Sequence, residues 1–118
     1  AKLIAFVGLD LEIGWLDRVI SRSGNAQLQR GAPGSCDVSQ GIQPLEVHSG
    51  PVDRSMGDIH PAGNPHYWLG YRDFAKAAAR IAKCLAQVWP SQQSKFFENL
   101  KGLQGEIIAE ERAVIALV

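Results

Sequence analysis

From Arg72 onward the chain keeps an apolar period of about 3.6 residues, and no other feature restricts its fold as much. Phe74, Ala77, Ala78, Ile81, Leu85 and Val88 fall on one stripe, while Arg72, Lys76, Arg80 and Lys83 fall on another. That pairing predicts an amphipathic helix. Pro90 has no amide hydrogen and its ring crowds the preceding turn, so the pattern continues either as one long helix kinked at Pro90 or as two helices joined at Trp89-Pro90-Ser91. Phe97, Leu100, Ile107, Val114 and Val118 carry the period further, diluted by Gly102 and Gly105. It is still running at Val118 with no glycine, proline or basic capping signal, which predicts a piece of a longer protein.

Upstream the signals are short. Residues 3–7, Leu-Ile-Ala-Phe-Val, stop at Gly8 and read as a strand buried on both faces, as in a parallel sheet. Trp15, Leu16, Val19 and Ile20 then predict a short helix whose outer side carries Asp17, Arg18 and Arg22. Strand, loop and helix make the first half of a βαβ unit. Residues 24–39 lose the apolar period and read as irregular, and residues 42–47 offer a weak second strand interrupted by Pro44. Cys36 and Cys84 lie far apart with no CxxC or zinc-finger spacing; they read as separate thiols, with a disulfide as the alternative.

Composition enters by what it excludes. The 118 residues carry twelve basic and twelve acidic side chains, so no net field draws the chain to nucleic acid or an anionic membrane. Its longest apolar runs fall far short of the roughly 20 residues that span a bilayer. No charged, apolar and small-residue leader opens the sequence, so any export signal has been removed or lies outside it. Phosphate-loop and nucleophile-elbow patterns are missing as well.

The chemistry concentrates in residues 48–71, which hold His48, His60 and His66 among several Gly and Pro residues, with Asn64, and few aliphatic ones. Such a segment cannot be core and has to be held by specific local contacts. Neutral imidazole suits zinc and, less strongly, manganese. In Asn64-Pro65-His66-Tyr67-Trp68 the proline pushes Asn64 out of the helical region, and the two aromatic rings can anchor the loop. His66 is therefore the first candidate metal ligand. His60 is the second, with loop ordering as its plainer role, and His48 reads as solvated.

The runs Gly50-Pro51-Val52-Asp53-Arg54-Ser55-Met56-Gly57-Asp58-Ile59-His60-Pro61 and Gly63-Asn64-Pro65-His66-Tyr67-Trp68-Leu69 resemble a known ligand loop. It is that of the cluster A-I (cluster 9) substrate-binding proteins of zinc and manganese ABC importers, the ZnuA-like family of metal-binding lipoproteins and adhesins. Gly8-Leu9-Asp10-Leu11-Glu12 with Trp15-Leu16, and residues 72–116, resemble the family's preceding strand and its long linking helix. The resemblance covers nearly the whole chain, but only the loop is specific.

This resemblance implies an α/β fold. Residues 1–71 would be part of one lobe, with the ligand loop at 48–71, and residues 72–118 a long linking helix kinked near Pro90. It implies a Zn2+ or Mn2+ ion held between two lobes by three histidines and one further ligand. His66 matches the second histidine, and the others have no counterpart in this sequence. The implied protein is not an enzyme. It is a periplasmic or extracellular receptor, in some cases lipid-anchored, that hands its ion to a membrane permease. Removed from the second lobe, residues such as Phe97, Leu100 and Ile107 would be exposed and favour self-association. Where the family continues Trp-Leu-Asp-Pro, this chain has Trp68-Leu69-Gly70-Tyr71, which removes a helix cap. The competing readings are a zinc hydrolase using His60 and His66 with Asp58 as base, and an interaction protein using the helix after Arg72 as its surface.

Overall fold

Two short parallel strands organise the chain, and a helix covers each face of the pair. The computed structural model describes residues 1–51, 53 and 60–118. β1 (Ile4–Phe6) and β2 (Ser35–Asp37) place Ile4 opposite Ser35, Ala5 opposite Cys36 and Phe6 opposite Asp37. The pairing extends beyond both ends, because Ile4 N–H donates to Gly34 O at 2.8 Å and Val38 N–H to Phe6 O at 3.0 Å.

Strand alternation sends successive side chains to opposite faces. Ile4 and Phe6 meet Leu16 and Ile20 of α1 (Leu16–Arg22) in one apolar cluster. On the other side Cys36 and Val38 meet Ala77 and Cys84 of α2 (Tyr71–Val88), with Leu3 and Tyr67 packed against them. The α/β architecture read from the sequence is the one present.

Several local expectations are corrected. The first strand is not buried on both faces, since Phe6 alone among Ile4, Ala5 and Phe6 is buried. The second strand is not at residues 42–47: Pro44 offers no amide hydrogen there and Glu46 has a left-handed backbone, φ +55°. It lies instead at Ser35-Cys36-Asp37, inside the stretch expected to be irregular. In α1 only Leu16 and Ile20 are buried, while Trp15 and Val19 stay about half exposed.

The cysteines are not separate thiols. Cys36 and Cys84 form a disulfide between β2 and α2, with Cα atoms 5.9 Å apart. Both are sealed from solvent, at 0% and 1% exposure. With two cysteines in the sequence, this bridge is a single disulfide cross-link between the sheet and the helical half of the chain.

α2 starts at Tyr71 behind Gly70, which caps it without any side-chain bond, as the missing carboxylate led one to expect. It stops at Val88, because Trp89 leaves the helical region, at φ −130° and ψ 71°, ahead of Pro90. One 3₁₀ turn, Pro90–Gln92, then leads into α3 (Gln93–Ile115). The chain thus takes the two-helix form and not a single kinked helix. The two helices flank an open apolar groove of about 550 Å³, lined by Trp68, Phe74, Ile81, Phe96, Leu100 and Leu103 among others. Ile107, expected to be exposed, is buried, whereas Ile108, Ile115 and Leu117 are not. No helix among the described residues is long and apolar enough to cross a membrane.

Candidate metal-ligand loop

His66 sits at the mouth of a 3₁₀ turn, Tyr67–Leu69, that leads directly into α2. Its carbonyl accepts Leu69 N–H at 3.1 Å, and the ring is exposed. The turn is fixed from both sides. Pro65 is fully buried, which sets the direction of approach, and the His66 ring packs obliquely on Trp68 with centroids 5.4 Å apart.

Asn64 supplies most of the local bonding. Its N–H donates to Leu45 O at 2.8 Å, and its side-chain Nδ2 donates to Glu46 Oε2 at 2.8 Å. Its Oδ1 accepts the His66 backbone N–H at 2.9 Å and lies 2.9 Å from His66 Nδ1. An asparagine bonding the backbone two residues on is the signature of an Asx turn. Gly63 makes the approach possible: at φ +105°, a Cβ there would collide with Pro44 and the Leu45 carbonyl. Gly63 N–H also closes a turn onto His60 O at 3.0 Å.

A second tether runs from Tyr67 to the sheet. The Tyr67 hydroxyl donates to Val7 O, just past the C-terminal end of β1, at 2.8 Å. Val7 N–H and Gly8 N–H in turn donate to Glu12 Oε1 and Oε2 at 2.7 and 3.0 Å. Glu12 is the one buried charged residue among those described. Burial, and after it the negative charges of Asp37 and Glu12, push the Tyr67 hydroxyl up to about 12, so it remains a donor. This places His66 beyond the carboxyl end of a parallel sheet, where open α/β folds bind their ligands.

The tether can be measured. Glu12→Gln should turn an amide NH2 toward a backbone N–H and cost about 1–3 kcal/mol, and Tyr67→Phe should cost about 1 kcal/mol. Thermal unfolding of the metal-free chain reads both. Midpoints unchanged from the parent in both variants would refute the tether.

Of the other candidates, His48 is exposed and His60 is partly buried at the start of the turn to Gly63. Asp58, the base of the hydrolase reading, lies outside the described residues, as does the Gly57-Asp58-Ile59 part of the motif. Among the described residues no group of three or more His, Cys, Asp or Glu side chains comes together to hold a metal. The roles of Glu12 and of the Tyr67 hydroxyl were missed from sequence, since both depend on contacts with the end of β1.

The chain matches the family model described as zinc-uptake complex component A, periplasmic, over residues 1–116. No curated protein and no solved structure matches it. The family match covers the strands, the His66 loop and both long helices, and the chain belongs to this ZnuA family of periplasmic zinc-uptake components.

Proposed function

We propose that the protein captures zinc in the periplasm and delivers it to the permease of an ABC importer, with His66 as the ligand this segment contributes. The observation that carries the reading is an exposed imidazole, braced by Asn64 and Pro65, on the loop of a chain from the zinc-uptake family. The family provides substrate-binding components and not catalysts, in keeping with a receptor. A buried Cys36–Cys84 bridge suits the oxidising periplasm, where disulfides persist.

One imidazole does not make a transport site. Zinc sites take about four ligands, and among the described residues no three candidate side chains come together, so His66 needs ligands from elsewhere in the receptor. His60 is the second candidate in this segment, although its carbonyl already serves to close the turn onto Gly63. In this reading residues 1–71 belong to one α/β lobe, and residues 72–118 carry the chain toward a second.

Calorimetric titration of the intact receptor tests the assignment. Zinc should bind saturably at one ion per protein, and manganese more weakly, because imidazole sites favour zinc in the divalent affinity order. No saturable zinc binding at micromolar concentration would end the reading.

A further inference from the structure

We propose that Asn64 is a positioning residue that decides which nitrogen of His66 meets the metal, holding the proton on Nδ1 and leaving the Nε2 lone pair free. The inference rests on the capture role proposed for His66 and adds the device that prepares it. An asparagine amide can be turned either way, but here two unambiguous partners fix its orientation. The His66 backbone N–H can only donate, so the atom 2.9 Å from it is the oxygen. The Glu46 carboxylate can only accept, so the atom 2.8 Å from it is the nitrogen. Reversing the amide would place donor against donor and acceptor against acceptor.

With Oδ1 so fixed, the 2.9 Å contact to His66 Nδ1 has one solution. The oxygen cannot donate, so in the neutral ring Nδ1 carries the hydrogen and Nε2 the lone pair. Partners of this kind set the tautomer and orientation of metal-binding histidines. Glu46 completes the device from eighteen positions away, and its left-handed backbone at φ +55° is a local cost in a residue whose carboxylate is held at that amide.

Nitrogen-15 NMR of the metal-free chain tests this directly, because protonated and lone-pair ring nitrogens resonate far apart. The parent should show His66 as one tautomer, protonated at Nδ1. Asn64→Ala should shift it toward the Nε2-protonated form that free imidazole side chains prefer, and should weaken zinc binding by the intact receptor about 10- to 100-fold. Asn64→Asp combined with Glu46→Gln keeps an acceptor for Nδ1 while exchanging donor and acceptor on the far side. That double variant should restore both the tautomer and most of the affinity, even if Asn64→Ala loosens the loop. Parent His66 protonated at Nε2, or present as a mixture, overturns the role of Asn64, whatever His66→Ala does to zinc. If His66→Ala leaves zinc affinity intact, the capture reading falls instead, and the NMR result distinguishes the two failures.

Discussion

Replacing Cys36 and Cys84 together by alanine is expected to lower the stability of this chain by about 4 kcal/mol, and its thermal midpoint by roughly 15 °C. The bridge spans 48 positions, and the entropy of leaving a loop of that length open in the unfolded chain gives the estimate. The native state has little to offset the loss. Among the described residues the sheet has two strands of three residues each, and the apolar cluster joining it to α2 contains both cysteines with Val38 and Ala77 as its other buried members. Other ties between β2 and α2 are few; Arg80 Nε donating to Asp37 O at 3.1 Å is one of them. Calorimetric scans of the parent, the double variant and the reduced parent provide the check. Coincident midpoints for all three would mean that packing alone joins the two halves and that the bridge is incidental.

The cysteine pairing illustrates what a sequence leaves out. Separation along the chain carries no information about distance in space, so Cys36 in a glycine-rich stretch and Cys84 inside a helical period looked unrelated. The same gap hid β2. Ser35-Cys36-Asp37 alternates, but over three residues with a single apolar one, too short a run to read as a strand, and its burial comes through Cys36 packed and bonded to a helix. Residues 42–47 had the better strand composition but could not pair at Pro44 or stay extended at Glu46. The helices, by contrast, were legible. A 3.6-residue period over many turns averages away local exceptions, and a proline breaks it at a predictable place.

Within the loop, legibility divides in a similar way. Asn64 two residues before His66 is a local relation, so the turn could be anticipated from the order of residues alone. The placement of Glu46 beside Asn64, and of the Tyr67 hydroxyl beside Val7, depends on how the loop lies against the rest of the fold. Those longer contacts also make the site more than an exposed histidine. One fixes the ring by its neighbour, and the other fixes the turn to the end of the sheet.

On the capture reading, His66→Ala is expected to lower the receptor's zinc affinity by at least about 100-fold, while His48→Ala leaves it within error. The argument is first one of number: with about four ligands in a closed zinc site, removing one opens the shell to water and forfeits the geometry that gives tight binding. Position comes second. The ring is held by Asn64, packed obliquely against Trp68 and rooted through Tyr67 in the strand end, so its loss cannot be made good by a small shift of the loop. His48 has no such setting; it is exposed and precedes the bonded part of the loop. His60→Ala should fall between the two, because its backbone turn to Gly63 survives the substitution. Competitive titration against a chelator of known zinc affinity, with the fold of each variant checked by circular dichroism, separates lost coordination from lost structure. A folded His66→Ala receptor that binds zinc as tightly as its parent would remove the main support for the capture reading.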